Sequence, residues 1–144
     1  MRIFPGERRA SLSVGELADF ALGPRSRFGG PSGTWRAELG REWHSSLRAE
    51  SELLGSEGGE IRHEVSVRGI LLRGGWAVEL EGRVDKLSVN NGLALVSELK
   101  TTFLPLPATE ESLREKYPHY FLQVSTYLLL FRLLPDYSQK QVVG

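Results

Sequence analysis

Two spacings of hydrophobic residues divide the chain into a helical first part and a strand-rich middle. Residues 13–22 begin with Ser13 as an N-cap and carry a partial apolar stripe, which predicts a short helix. The members of this stripe are Leu17, Phe20 and Leu22. After a loop rich in glycine and proline, residues 34–54 repeat apolar side chains at helical spacing and predict a longer helix.

From residue 61 onward the hydrophobic period changes to two, the period of β-strands. Three strands are predicted there, over residues 61–73, 76–89 and 93–103. The last two are joined by Asn91-Gly92, a pair that accepts the positive φ angles of a type I′ turn. The middle of the chain is therefore predicted to be an antiparallel meander.

The last third of the chain adds a further helix and the start of another strand. Residues 104–118 predict a loop with a single helical turn, and residues 119–134 are apolar almost all round, which predicts a buried helix. Residues 139–144 look like a strand that stops abruptly. The order α-α-β-β-β-α-β predicts an α/β fold with a mixed sheet flanked by helices. We interpret residues 1–144 as a single domain taken from a longer protein.

Composition narrows the functional classes. The formal net charge is zero, so no global positive field attracts nucleic acid, and any polyanion site must be a local patch. The chain has no cysteine, which excludes disulfides, thiolate metal sites and cysteine nucleophiles. The most apolar run, residues 120–134, is too short to span a bilayer. With no signal-peptide pattern at the N-terminus, we expect a cytoplasmic protein without a membrane partner.

The predicted hairpin places two acidic side chains together. With a two-residue loop, Asp85 lies opposite Glu98 with Cβ atoms about 5 Å apart, and Lys100 shares their face. Two carboxylates in this position repel unless a cation lies between them, and Mg²⁺ or Mn²⁺ takes carboxylate oxygens. An exposed sheet face whose acids are neutralised by Arg83, Lys86 and Lys100 explains the same pattern equally well.

Three further polar positions are ambiguous when each is taken alone. Gln123 and Tyr127 are four residues apart on the last predicted helix and therefore share one face. A buried glutamine needs hydrogen-bond partners, although a satisfied core glutamine is the more common case. His44 lies beside Trp43 on the second predicted helix, where packing is again the simpler explanation. We interpret His63 and His119 as structural.

Taken in order, these segments resemble the RecB-like branch of the PD-(D/E)XK nuclease superfamily. That family has G-x-x-D, then E-x-K, then Q-x-x-x-Y, which correspond here to EGRVD (81–85), SELKTT (97–102) and QVSTY (123–127). The segment LGREWH (39–44) looks like the family's G-x-x-x-H segment. The resemblance extends from about residue 13 to residue 134. It implies a restriction-endonuclease-like α-β-β-β-α-β core, which matches the order predicted from periodicity.

One departure from the family bears on cofactors and partners. Several relatives end their first helix in Cys-Pro-Arg, whose cysteine binds an iron–sulfur cluster, but here GPRSRF (23–28) has Gly23 at that place. Without cysteine the chain supplies no ligand for such a cluster. The opening helix and ELKTTFLPLP (98–107) look more like the nuclease domains fused ahead of DinG-type helicases. The resemblance thus implies a helicase domain as a partner, in cis or in trans.

The resemblance implies a metal-dependent deoxyribonuclease that acts on single-stranded DNA or DNA ends. The implied metal ligands are His44, Asp85, Glu98 and the backbone carbonyl of Leu99. The metal is Mg²⁺ or Mn²⁺, and an imidazole ligand favours Mn²⁺. Lys100 would position the attacking water and stabilise charge on phosphorus. Gln123 and Tyr127 would complete the catalytic site by positioning.

Substrate contacts are expected mainly to phosphates. The candidates are arginines on the loop and helix that precede and carry His44, namely Arg25, Arg27, Arg36, Arg41 and Arg48. Trp35 and Trp43 have the chemistry to stack on bases, but their helical spacing predicts core positions. The alternatives are a catalytically inactive DNA-binding module of a helicase-nuclease and a plain interaction domain. RNA as substrate, polarity of cleavage and endo or exo action stay open.

Overall fold

A computed structural model describes residues 1–23, 38, 42, 45–46, 59–100 and 105–144. The strands in these residues are β1 (Arg2–Phe4), β2 (Arg9–Ser13), β3 (Glu60–Arg73), β4 (Trp76–Asn90), β5 (Leu93–Ser97) and β6 (Gln141–Val143). The helices with described bounds are α1 (Val14–Leu22), α2 (Glu110–Lys116) and α3 (Pro118–Leu133), with 3-10 turns at Pro5–Glu7 and Pro135–Tyr137. The α/β class and the mixed sheet flanked by helices are confirmed.

Strand β4 is the central strand of the sheet. It pairs antiparallel with β3 along its length, while its other edge pairs with parallel β2 and, further on, with antiparallel β5. Strand β1 extends the sheet beyond β2, and β6 runs parallel to β5. The three middle strands were predicted within one or two residues at their starts, whereas β1 and β2 were not predicted.

The register predicted from the Asn91-Gly92 turn is confirmed where β4 and β5 pair. Asn90 pairs with Leu93 and Lys86 with Ser97, and both turn residues have positive φ angles, 45° and 80°. The predicted extension of this strand to residue 103 is wrong, because β5 ends at Ser97 and Glu98–Lys100 are not in a strand. The Asp85–Glu98 position is therefore one step beyond the last paired residues.

Helix α1 begins where predicted, and its N-terminus is closed by a capping box. Ser13 Oγ accepts a hydrogen bond from the Glu16 N–H at 3.1 Å, and Glu16 Oε2 accepts one from the Ser13 N–H at 2.7 Å. The predicted apolar stripe is wrong in part, since Phe20 and Leu22 are exposed. The buried positions are Val14 and Ala18, because α1 packs on α3 and a small side chain permits close approach.

The two C-terminal helices differ in detail from their predictions. Residues 110–116 form a seven-residue helix rather than a single turn, and the Thr109 hydroxyl caps it by accepting from the Ser112 N–H at 3.2 Å. Helix α3 is buried on one face only, because Leu129 and Leu133 are exposed. Its buried residues are Gln123, Thr126, Tyr127, Leu130 and Phe131. This face packs on the sheet and completes the core.

Two predicted segments near the start of the chain lie largely outside the described residues. The predicted helix over residues 34–54 lies mostly outside the described residues, of which 38, 42, 45 and 46 are helical. The predicted loop over residues 23–33 also lies outside them, except for Gly23. Within the described part of the chain, no helix has the length and apolar character needed to cross a membrane.

Candidate functional site

The candidate site lies where the chain leaves β5 and passes over Asp85 of β4. Asp85 Oδ2 accepts a hydrogen bond from the Leu99 backbone N–H at 2.7 Å. A side chain thus takes the amide hydrogen after β5 has ended, which explains why the strand stops at Ser97. This contact brings the segment of Glu98, Leu99 and Lys100 to Asp85, although the segment is irregular and not the strand face that the sequence predicted.

Glu98 and Lys100 form an ion pair with one unusual feature. Lys100 Nζ lies 2.5 Å from Glu98 Oε1, and the side chain of Glu98 is only 7% exposed. The other carboxylate oxygen, Glu98 Oε2, is buried and accepts no hydrogen bond from the residues that the structure describes. Leaving a buried carboxylate oxygen unsatisfied is costly, so this oxygen favours an additional electropositive partner.

Tyr127 of α3 packs directly over the strand that carries Asp85. Its side chain is 6% exposed, and its hydroxyl donates a hydrogen bond to the Arg83 carbonyl at 3.2 Å. Burial raises the pKa of Tyr127 to about 12, and the negative charges of Glu98 and then Asp85 act in the same direction. The hydroxyl is therefore a stable neutral donor that lies within the electrostatic reach of both carboxylates.

Gly82, the first residue of the G-x-x-D segment, has a packing role. A Cβ atom at this position would lie 2.6 Å from Tyr127 Cε1, well inside van der Waals contact. The absence of a side chain at Gly82 therefore allows the Tyr127 ring to approach β4. The spacing from Gly82 to Asp85 brings this ring and the carboxylate to the same part of the strand.

Two more side chains of α3 lie in the same row as Tyr127. Gln123 is 5% exposed and is one turn before Tyr127, as its spacing predicted. One turn earlier still, the ring centroid of Tyr120 lies 5.6 Å from Lys100 Nζ. Sequence reasoning missed Tyr120, although its spacing of three residues from Gln123 and seven from Tyr127 placed it on the same helix face.

A second feature that the sequence did not predict is the backbone conformation of Glu64, opposite Asp85 on the neighbouring strand. In the β3–β4 ladder, His63 pairs with Lys86 and Val65 with Val84, so Glu64 lies opposite Asp85. Glu64 has a φ angle of 50°, in the left-handed region that few non-glycine residues adopt. Such backbone conformations cluster at functional sites, so this distortion marks the position of Asp85 independently of any motif.

Several predicted site residues lie outside the described part of the chain. They are His44, Arg25, Arg27, Arg36, Arg41 and Arg48. Trp35 and Trp43, which were predicted as core residues, also lie outside the described part. Among the described residues, no group of three or more histidine, aspartate or glutamate side chains is placed to hold a metal ion. Of the three predicted side-chain ligands, Asp85 and Glu98 lie in the described part of the chain and His44 does not.

His119 makes a contact between helices and agrees with the structural role that we expected. Its Nε2 atom lies 2.8 Å from the Gly23 carbonyl and 3.9 Å from Asp19 Oδ1. Both partners are at the end of α1. This contact fixes the end of α1 against the start of α3.

Comparison with known proteins gives a likeness of fold. Neither a protein-family model nor a curated protein matches the sequence. Among solved structures, the chain is similar to the crystal structure of SSO0001, with a TM-score of 0.50 and 25% sequence identity. The aligned region covers 84% of this chain and 56% of SSO0001, so the chain spans just over half of that protein.

Proposed function

We propose that this protein is a metal-dependent deoxyribonuclease that hydrolyses phosphodiester bonds, as an exonuclease on single-stranded DNA or DNA ends in DNA repair. The observation that carries the proposal is a pair of contacts at the end of β5, in which Asp85 accepts from the Leu99 N–H and Lys100 pairs with Glu98. Glu98 Oε2 is buried there and has no hydrogen-bond partner among the described residues. Two carboxylates can hold a metal ion that activates water, and a nearby amine can stabilise the negative charge that grows on the phosphate during hydrolysis.

The donor chemistry of the site fits a hard divalent cation. Asp85, Glu98 and the Leu99 carbonyl would hold Mg²⁺ or Mn²⁺ through oxygen atoms, and His44 is the proposed further ligand. The unsatisfied oxygen of Glu98 supports this fit, because a cation would supply the missing partner. When bound, such a cation supplies Lewis-acid polarisation of the phosphodiester and a more acidic water.

Lys100 is placed to act on the phosphate. Its ammonium group lies 2.5 Å from the Glu98 carboxylate and 5.6 Å from the centroid of the Tyr120 ring. About a third of the side chain is exposed, so a phosphate would reach it. As the oxygen of water bonds to phosphorus and an ester P–O bond breaks, Lys100 would donate hydrogen bonds to the phosphate oxygens, where negative charge grows.

Tyr127 and Gln123 would position these groups and take no part in bond making. The neutral hydroxyl of Tyr127 holds the Arg83 carbonyl, two residues before Asp85, and its ring fixes the distance between α3 and β4. Gln123 is buried in the same row, next to Tyr120 and Tyr127. Displacing either side chain would shift the carboxylates relative to Lys100.

The order of the motifs supports membership of the RecB-like PD-(D/E)XK nucleases, which we propose as the family. With zero net charge, affinity for DNA would be weak and sensitive to salt. A helicase domain, in cis or in trans, would raise the local concentration of DNA at the site. The proposed phosphate contacts are Arg25, Arg27, Arg36, Arg41 and Arg48, and the proposed location is the cytoplasm.

One observation favours a second candidate, a catalytically inactive DNA-binding module. Lys100 already pairs with Glu98, so the charge of this carboxylate is balanced without a metal ion. A protein of this kind would bind DNA and cut none. The two candidates share the same fold and the same surface, and they differ only in whether hydrolysis occurs.

The deciding experiment is cleavage of end-labelled single- and double-stranded DNA with Mn²⁺, Mg²⁺ or EDTA. We expect metal-dependent cutting that is lost in Lys100→Ala and Asp85→Asn. The matched controls are Lys140→Ala and Asp136→Asn, which remove the same groups near the start of β6. Folded protein that cuts in no metal would support the inactive module. Cutting that survives both site substitutions would show that hydrolysis takes place elsewhere.

A further inference from the structure

A cavity of about 490 Å³ adjoins the site on the side of α2 and α3. Glu98, Leu99 and Lys100 line it, and so do three aromatic residues, Tyr117, Tyr120 and Phe121. The cavity therefore shares its wall with the proposed catalytic groups. Its volume is within the range typical of small-molecule binding sites.

The aromatic residues of this cavity form an ordered surface. The rings of Tyr117 and Tyr120 are stacked, with centroids 5.6 Å apart and planes inclined by 12°. A cation faces each of the three rings: Lys116 lies 5.5 Å from Tyr117, Lys100 5.6 Å from Tyr120, and Arg114 4.7 Å from Phe121. A surface that combines flat rings with positive charge suits a ligand that is itself flat, aromatic and joined to an anion.

We propose that this cavity binds the base of an unpaired nucleotide whose phosphate lies beside Lys100. The inference rests on the proposed function and names the substrate class of the same site. Tyr117 and Tyr120 are half-buried, which leaves part of their surface for stacking on a base. Lys100 would meet the anionic half of the nucleotide, because it lines the cavity beside the Tyr120 ring. Arg114 also lines the cavity, but it is already paired with Glu110 at 2.7 Å.

This geometry selects single strands over duplexes. A base enters the cavity only when it is unpaired and unstacked, whereas the bases of a duplex are already stacked on their neighbours. Stacking on tyrosine does not depend on the identity of the base, so little sequence preference is expected. The site would therefore act on single strands and on ends that have frayed.

The test is fluorescence anisotropy in EDTA, where no metal-dependent cleavage interferes, at low ionic strength. Three labelled probes of equal length are compared: a single strand, a blunt duplex, and a single strand of abasic residues. The abasic strand retains every phosphate and lacks every base. Wild-type protein is expected to bind the ordinary single strand more tightly than either of the other two.

Substitutions of the cavity tyrosines test whether the base-dependent binding takes place in the cavity. Tyr120→Ala and Tyr117→Ala are each expected to weaken single-strand binding by about five- to 150-fold, the range for loss of one base stack. Binding of the abasic strand should not change, and Tyr120→Phe should retain wild-type affinity. The matched control is Phe20→Ala on α1, which removes a 71% exposed ring elsewhere. Circular dichroism confirms that each variant is folded.

The outcomes separate this inference from the proposed function. Equal affinity of wild-type protein for the ordinary and abasic strands, or unchanged affinity in both alanine variants, would overturn the nucleobase site even if cleavage is observed. Base-dependent binding that is lost in Tyr120→Ala, in a protein that cuts no DNA, would support the cavity and refute the nuclease. The absence of any single-strand binding would overturn the cavity proposal directly.

Discussion

Replacing Gly82 by alanine tests whether the packing of Tyr127 determines the geometry of the site. The added Cβ would lie 2.6 Å from Tyr127 Cε1, 3.0 Å from the Tyr127 hydroxyl oxygen and 3.0 Å from Val14 Cγ2. Both neighbours are buried, and the tyrosine is also held by its hydrogen bond to Arg83. The ring therefore has little room to withdraw, and α3 would have to move away from β4.

The size of the effect follows from these contacts. Overpacking a well-packed core by one methyl group costs about 1–3 kcal/mol. If the ring moves, the hydrogen bond to the Arg83 carbonyl is also weakened, which adds about 1 kcal/mol. We expect the free energy of unfolding to fall by about 2–4 kcal/mol. The matched control is Gly6→Ala, because a Cβ there meets no atom within 4 Å and should change stability little.

Urea unfolding followed by circular dichroism gives the free energies. The same substitution is also made in a Tyr127→Ala background, where the closest clash has been removed and only the Val14 contact persists. There Gly82→Ala is expected to cost less than half as much as in wild-type protein. An equal cost in both backgrounds, or a cost as small as that of Gly6→Ala, would refute the role assigned to Tyr127.

Three further predictions concern protonation and one hydrogen bond. Because the pKa of Tyr127 is raised to about 12, its contribution to stability is complete below the ordinary value of 10.0 and is lost as the pH rises towards 12. Urea unfolding of wild-type protein and Tyr127→Phe across this pH range measures the loss, and an ultraviolet titration measures the pKa. Hydrogen bonds from the N-terminal ammonium and then from Ser13 lower the pKa of Glu16 to about 2. The contribution of Glu16 to the stability of the fold is therefore present above pH 4.5 and is lost as the pH falls towards 2. A Glu16→Gln variant should lose less stability than wild-type protein over that range, as measured by urea unfolding. Asp85→Ala should lower the free energy of unfolding by about 1–3 kcal/mol, because it leaves the Leu99 N–H without its acceptor. Asp85→Asn keeps an acceptor oxygen, so it should lower the free energy of unfolding by less, while DNA cleavage is still lost.

Local signals in the sequence predicted much of the fold and part of the site. The period-two pattern located β3 and β4, and the Asn91-Gly92 turn set the register of β4 with β5. The same register leads from the last pair, Lys86–Ser97, to the contact between Asp85 and the Leu99 N–H, because a two-residue turn fixes the pairs that follow it. These predictions succeeded because each depends on residues that are close in sequence.

The predictions that failed depend on contacts between distant parts of the chain. Strand β2 is short, and it is stabilised by parallel pairing with β4, more than sixty residues later, as its first pair Arg9–Ala77 shows. The end of β5 is set by a side chain, since Asp85 takes the Leu99 N–H. The positive φ angle of Glu64 likewise has no sequence signal, because glutamate gives no indication of a left-handed conformation.

The most direct test of the central claim is Mn²⁺ binding measured by the loss of the free-ion signal in electron paramagnetic resonance. We expect wild-type protein to bind Mn²⁺ and Asp85→Asn and Glu98→Gln both to lose this binding, while the Asp136→Asn control retains it. Absence of binding by the wild-type protein would contradict the proposed metal site. Binding that is equally strong in both site variants would contradict it too, because the carboxylates at the end of β5 would then hold no metal.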